Sequence, residues 1–168
     1  IKFQTFQAEK LVTADARQAE YQSRNIGKVE TQAQMLKRLE LPRDAYRQIM
    51  AHCRDRGIRF LSTPFDQESA DFLDGEGMEV IKIPSGEVTN LPLVQHLATK
   101  RRPILLSTGM CNLSDVDACV ATLEQAGVRD LAILHCVSNY PADPADPNLR
   151  AMRTMETAFG YPVGYSDH

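Results

Sequence analysis

A lysine inside an apolar run is the first feature of this sequence that suggests chemistry. Residues 80–87 read VIKIPSGE, so Lys82 stands between two isoleucines and is followed by Pro, Ser, Gly and Glu. Because side chains alternate along a strand, Ile81 and Ile83 share an apolar face and Lys82 lies on the opposite one. A buried ammonium needs a charge partner or a strong acceptor, such as a bound phosphate or carboxylate. The alternatives are a structural Asp or Glu partner, or an edge-strand lysine that reaches solvent.

Polar side chains recur at the predicted carboxyl end of nearly every strand candidate. They are Lys2, Gln4, Ser62, Thr63, Lys82, Ser85, Ser107, Thr108, His135, Ser138, Ser166 and His168. Two lysines and several hydroxyls that converge on one mouth predict a pocket for phosphate and carboxylate groups.

Two histidines follow strand candidates and allow different interpretations. His168 ends the run YSDH, where a neutral imidazole could bind a divalent metal, although a lone histidine is more often structural or solvated. His135 ends the apolar run LAILHC, which favours a hydrogen-bonded core histidine.

Six short apolar runs predict the strands that position these residues. They begin near Ile1, Ile58, Val80, Pro103, Leu131 and Pro162. The helical patterns between them are RDAYRQIMAHCRDRG, SADFLDGEG, LPLVQHLATK, SDVDACVATLEQAG and NLRAMRTMETAFG. In SDVDACVATLEQAG we predict Ser114 as the N-cap and Gly127 as the end. Residues 7–40 form a polar insertion, which we expect to carry a loop and an extra helix.

Alternating strands and helices predict parallel strands in one α/β domain, either a doubly wound open sheet or a (β/α)8 TIM barrel. No Gly-x-Gly-x-x-Gly loop follows a strand, whereas polar residues at many strand ends suit a barrel mouth. We therefore predict a barrel. Such barrels have roughly 250 residues, so 168 residues predict an incomplete barrel.

The composition limits the classes of partner. With 43% hydrophobic and 24% charged residues, the chain reads as a soluble globular protein. The net charge of -3 argues against nucleic acid, and no apolar run is long enough to span a membrane. The four cysteines lack metal-finger or disulfide-frame spacing, which predicts reduced thiols and a cytoplasmic location.

Six motifs together carry a family resemblance over essentially the whole chain. KFQTF, FLSTPFD, KIPSGE, ILLSTGM, LHCVSNYP and VGYSDH, in this order, resemble the N-acylneuraminate (sialic acid) synthase family. The resemblance implies about the second to seventh βα units of that family's barrel. It also implies a metal-dependent condensation of phosphoenolpyruvate with an N-acyl amino sugar, typically N-acetylmannosamine, to give a sialic acid and phosphate.

The resemblance implies a role for each matching residue. Around phosphoenolpyruvate it places Lys2, Thr63, Lys82, Ser85, Ser107 and Ser166. Tyr140 matches a residue near the sugar, and Ser138 stands where some relatives have Asn. Gln4 and Glu87 match residues beside the reacting carbons, with Glu87 a candidate for handling the proton of a metal-bound water. His168 matches a metal ligand.

The resemblance also predicts what the rest of the protein supplies. We expect residues 1–168 to form a partial catalytic barrel that lacks the first and eighth units and the family's C-terminal antifreeze-like domain. The implied cofactor is a divalent metal, manganese first, with magnesium or cobalt as alternatives. The implied partners are phosphoenolpyruvate, an N-acyl hexosamine and a second subunit in a homodimer. Two other functions stay open: a different phosphoenolpyruvate-using synthase of keto-deoxy sugar acids, and a non-catalytic binding module.

Overall fold

All six predicted strands are present in the computed structural model, which describes residues 1–168. The chain divides into two compact units, Ile1–Glu76 and Gly77–His168. All strand pairing in both units is parallel, apart from an isolated antiparallel bridge between Arg17 and Thr31. None of the helices combines the length and the apolar content needed to cross a membrane.

The first unit contains a two-stranded sheet and five helices. Its elements in chain order are β1 Lys2–Thr5, α1 Ala8–Leu11, α2 Glu20–Ile26, α3 Gln32–Leu39, α4 Arg43–Asp55, β2 Leu61–Pro64 and α5 Gln67–Gly75. The two strands pair in register from Lys2 opposite Leu61 to Thr5 opposite Pro64. On the buried side, the hydroxyls of Thr5 and Ser62 lie 2.7 Å apart in a hydrogen bond.

The polar insertion at residues 7–40 holds three helices, so the expectation of a loop with one helix is wrong. Local capping marks the start of two of them. Gln22 accepts a hydrogen bond from the Ala19 amide, and Thr31 accepts one from the Gln34 amide. The guanidinium of Arg38 also donates to Glu30 at 2.8 Å, which ties the last of these helices to the loop before it.

The second unit contains a four-stranded sheet in the order β3-β4-β5-β6. Its elements in chain order are β3 Ile81–Ile83, a short 3-10 helix Ser85–Glu87, α6 Leu91–Ala98, β4 Ile104–Ser107, α7 Leu113–Gln125, β5 Leu131–His135, α8 Arg150–Phe159 and β6 Val163–Tyr165. Across the two units, each of the five helices predicted between strands is present, with both ends within two residues of the expected bounds.

The predicted alternation of side chains holds in this sheet. Ile83, Leu106 and Ile133 are completely buried. The register of β3, β4 and β5 places them opposite one another, on the same side of the sheet. The register places Lys82 opposite Leu105 and Ser107 opposite Leu134, which puts Lys82 and Ser107 on the other side together. The sheet thus has one apolar face and one face that carries the polar site residues.

The start of α7 differs from the prediction. Asn112, and not Ser114, is the N-cap, because its side chain accepts a hydrogen bond from the Asp115 amide while Asp115 accepts one from the Asn112 amide. This reciprocal pair satisfies two free amides at the helix start, which Ser114 cannot do from inside the first turn. The predicted apolar stripe of this helix is buried.

Candidate functional site

Lys82 is buried in the second unit, with only 4% of its surface exposed. Its ammonium donates to the hydroxyl of Ser107 on the neighbouring strand β4 and, at 3.1 Å, to the backbone carbonyl of Ile83. Both of these acceptors are neutral oxygens. An anionic ligand beside a buried ammonium offsets part of the cost of burying its charge.

The 3-10 helix Ser85–Glu87 forms a turn directly after β3. The Glu87 amide donates to the Pro84 carbonyl at 3.0 Å, and its carboxylate accepts from the side-chain amide of Asn90 at 2.8 Å. The carbonyl of Ser85 accepts from the thiol of Cys111 at 3.3 Å. Two predicted site residues, Ser85 and Glu87, are therefore held on one turn.

Tyr140 and His168 form the second pair of predicted site residues that the second unit brings together. Their rings stack with centroids 4.0 Å apart, and the Ala142 amide donates to the His168 carbonyl at 3.1 Å. Ser166 is half-buried and its amide donates to the His135 carbonyl at 2.8 Å, whereas Ser138 is exposed in the loop after β5.

Three predicted site residues lie in the first unit on one side of its sheet. Gln4 pairs in register with Thr63, and Lys2 lies one pleat earlier on the same side as Gln4. Lys2 is the first residue of β1, so the prediction that it lies at a carboxyl end is wrong. Thr63 is 3% exposed, and the phenol of Tyr46 donates to the Gln4 carbonyl at 2.7 Å, which anchors this strand to α4.

His135 is not the hydrogen-bonded core histidine that the sequence indicated. Its Nε2 atom is buried without a hydrogen-bond partner, and its ring lies 5.9 Å from the ring of Tyr165. The register places both rings on the side of the sheet opposite to Ser107. His135 therefore stands apart from the polar face that carries Lys82.

One predicted metal ligand, His168, is present, and no group of three His, Cys, Asp or Glu side chains is arranged to hold a metal ion. Stacking with Tyr140 engages the face of the imidazole, whereas a metal binds a ring nitrogen in the ring plane. The role of His168 as a metal ligand therefore stays a prediction.

Sequence reasoning missed two residues that touch the turn Ser85–Glu87, namely Asn90 and Cys111. The signal for Asn90 was its place as a capping residue directly before the helix LPLVQHLA. For Cys111 the sequence holds no signal, because its contact depends on the arrangement of two loops. Burial, with the charge of Asp115 and the nearby Cys136 as smaller causes, raises the pKa of the Cys111 thiol to about 11.

A family model and individual relatives both match the whole of this chain. A model of the NeuB family matches residues 1–168. The N,N'-diacetyllegionaminic acid synthase of Legionella pneumophila is 45% identical and covers 100% of this chain and 48% of that protein. The enzyme of the same name from Campylobacter jejuni is 41% identical, with 100% of this chain and 51% of that protein covered. The chain thus spans about half the length of these relatives.

A solved structure gives the fold. The crystal structure of N-acetylneuraminic acid (sialic acid) synthetase from Leptospira borgpetersenii, in complex with citrate, is similar with a TM-score of 0.84 and 27% identity. The match covers 99% of this chain and 53% of that one. It confirms the predicted fold class, a (β/α)8 TIM barrel present as an incomplete barrel.

Proposed function

The chain belongs to the NeuB family, and we propose that it supplies the phosphoenolpyruvate-binding part of a synthase for a sialic-acid-type sugar acid. The reaction would join phosphoenolpyruvate to an N-acyl amino sugar and release phosphate. The observation that carries this proposal is the buried Lys82 ammonium, held by Ser107 beside the turn of Ser85 and Glu87. The family match supports the resemblance found in the six motifs.

The acceptor class follows from the relatives. Two of them are named for N,N'-diacetyllegionaminic acid and the solved structure for N-acetylneuraminic acid. We propose an N-acyl hexosamine as the acceptor: N-acetylmannosamine, or a related hexosamine with a second N-acyl group, as the legionaminic names favour.

The charge of each predicted site residue, and the protons it can donate or accept, suggest its role in the reaction. Lys82 and Lys2 would balance the negative charge of the carboxylate and phosphate groups, and the hydroxyls of Thr63, Ser85, Ser107 and Ser166 would donate hydrogen bonds to them. As C3 of phosphoenolpyruvate bonds to the aldehyde carbon of the sugar, the aldehyde oxygen would take up a proton and C2, now electron-poor, would accept a water molecule. Glu87 would take one proton of that water, and the C2 hydroxyl would lose its remaining proton as the bond from C2 to the phosphate oxygen breaks, which leaves a carbonyl at C2 and free phosphate.

The sugar side of the site would use the remaining predicted residues. A divalent metal, with manganese first and magnesium or cobalt as alternatives, would be held in part by His168 and would polarise the sugar aldehyde. Tyr140 would support the imidazole ring and lie near the sugar, Ser138 would contact the substrate from the loop after β5, and Gln4 would orient the reacting carbons.

The test is a phosphate-release assay on the full-length protein with phosphoenolpyruvate and a panel of acceptors. We expect release with N-acyl hexosamines and none with phosphorylated aldoses such as arabinose 5-phosphate. Release with a phosphorylated aldose alone would identify a different keto-deoxy sugar acid synthase. Binding of phosphoenolpyruvate without release in any mixture would identify a non-catalytic module.

We also propose a homodimer in the cytoplasm, with residues 1–168 as part of its catalytic barrel domain. Light scattering on the full-length protein checks the subunit number. A monomer with full activity would contradict the dimer.

A further inference from the structure

The turn Ser85–Glu87 is contacted by side chains from two other parts of the second unit. We propose that Asn90 and Cys111 are positioning residues that fix this turn, Asn90 acting on the Glu87 carboxylate and Cys111 on the Ser85 backbone. The proposal rests on the proposed function, in which Ser85 binds phosphoenolpyruvate and Glu87 moves a proton.

Asn90 uses both ends of its side-chain amide. The Nδ2 atom donates to Oε2 of Glu87 at 2.8 Å, and the Oδ1 atom accepts from the Leu93 amide at 3.3 Å, which caps α6. The backbone amide of Asn90 also donates to the Glu87 carbonyl at 3.1 Å. Because the helix cap fixes the Asn90 side chain, the carboxylate that accepts from its other end is fixed with it.

Cys111 holds the other end of the turn through a thiol that stays protonated. Its Sγ donates to the Ser85 carbonyl at 3.3 Å, and its own amide is bonded to the Thr108 carbonyl at 3.0 Å. A pKa of about 11 means that the thiol carries its proton at neutral pH, so the donor is always present. A thiolate at this place would instead repel the carbonyl oxygen.

The loop that carries Cys111 is itself fixed by a close approach to Cys136, the residue directly after β5. A Cβ atom at Gly109 would lie 2.8 Å from Sγ and 2.9 Å from the carbonyl oxygen of Cys136. At Gly86, in the middle of the turn, the nearest atom to such a Cβ is the sulfur of Met110 at 3.8 Å. The loop after β4 therefore packs tightly against the residue that follows β5, and its Met110 lies near the middle of the turn.

Two variants test the role of Asn90 by separating its capping of α6 from its hydrogen bond to Glu87. Asn90→Ser keeps a capping oxygen but loses the donor to Glu87, whereas Asn90→Ala loses both. In the full-length protein we expect Asn90→Ser to lower kcat by about tenfold with KM changed by less than about twofold. Thr31→Ala removes the cap of α3 and touches no residue of the turn. We expect this control to leave both constants unchanged.

The Cys111 side is tested by removal and rescue of the donor. Cys111→Ala should raise KM for phosphoenolpyruvate by about threefold or more, because it frees the Ser85 backbone. Cys111→Ser keeps an O–H donor at the same place and should restore KM to within about twofold of the original. Equal kinetic constants in Cys111→Ala, Asn90→Ser and the unmodified protein would overturn the proposal.

A measurement that needs no turnover separates this proposal from the proposed function. Hydrogen exchange in the peptide that contains the Glu87 amide should speed up in Asn90→Ser and Cys111→Ala, and stay unchanged in Cys111→Ser and Thr31→Ala. Unchanged exchange in the first two variants would refute the positioning role even if the protein is an active synthase. Faster exchange in a protein without synthase activity would instead leave the positioning role standing and refute the proposed function.

Discussion

The ring of Tyr140 stacks on the ring of His168, with the two planes inclined by 22°. Such a stack restricts rotation of the imidazole and so fixes the direction of its ring nitrogens, as supporting residues do for metal-binding histidines. We expect Tyr140→Ala in the full-length protein to weaken manganese binding by about threefold to tenfold. Tyr140→Phe keeps the stack and should bind manganese as the original does.

Titration followed by the electron paramagnetic resonance of free manganese checks this prediction without any assay of activity. Equal manganese affinity in Tyr140→Ala and Tyr140→Phe would show that the stack does not support a metal ligand.

The buried ammonium of Lys82 predicts a loss of phosphoenolpyruvate use when it is removed. Losing a charge-assisted hydrogen bond commonly costs about 1.5–3 kcal/mol, so Lys82→Ala should lower kcat/KM for phosphoenolpyruvate by at least about tenfold. Lys37→Ala is the matched control, because Lys37 is an exposed lysine whose surface ion pairs contribute little. Steady-state kinetics on the full-length protein measure this change. An unchanged kcat/KM in Lys82→Ala would show that Lys82 does not contribute to phosphoenolpyruvate binding.

The strands and the buried lysine could be predicted from sequence, because both signals are local. They are the alternation of side chains with a period of two residues and the PSGE turn that directly follows the strand. Ile81 and Ile83 are buried on one side, and Lys82 is buried on the other, as the alternation required. The partners of Lys82 could not be predicted, since the bond to Ser107 depends on the register between β3 and β4. Nothing local in the sequence encodes that register.

The errors have physical causes of the same kind. Asn112 and Ser114 are both good capping residues, and the choice depended on the reciprocal bond from Asp115. His135 ends an apolar run, as core histidines do, yet its Nε2 atom meets no partner across the sheet. Specific side-chain bonds decide both cases, and the periodicity of apolar residues does not report them.

Gly109 predicts a sharp difference between two glycine substitutions. A Cβ at Gly109 would meet two atoms of Cys136 at less than 3.0 Å, so Gly109→Ala should destabilise the full-length protein by about 1–3 kcal/mol. Gly75→Ala is the control: this glycine lies in α5 and no atom lies within 4 Å of the added carbon. Alanine there should be neutral or stabilising by up to about 1 kcal/mol. Urea unfolding monitored by circular dichroism compares the two, and equal midpoints would contradict the close approach.

The thiols of Cys111 and Cys119 predict an unusual pH dependence of alkylation. Burial raises the pKa of Cys111 to about 11 and that of Cys119 to about 12. At pH 8 only about one Cys111 thiol in a thousand is ionised, and the thiolate is the reactive form. The rate of Cys111 alkylation by iodoacetamide should therefore rise about tenfold per pH unit up to pH 10, without a plateau.

Mass spectrometry of the Cys111 peptide, in the folded full-length protein, measures this rate at each pH. A cysteine in a short unstructured peptide is the reference, and its rate should level off near pH 9 to 10 because its pKa is about 8.5. A Cys111 rate that levels off with the reference would mean that the thiol is not shielded.

The strand order of the second unit, β3-β4-β5-β6, is also the order of the chain. Translation releases a chain from its amino end, so β4, β5 and β6 each emerge when the neighbouring strand has already been made. Each pairing then closes a loop that holds a single βα connection, which keeps the entropic cost of every step similar and modest. The sheet is therefore suited to assembly one strand at a time as the chain is synthesised.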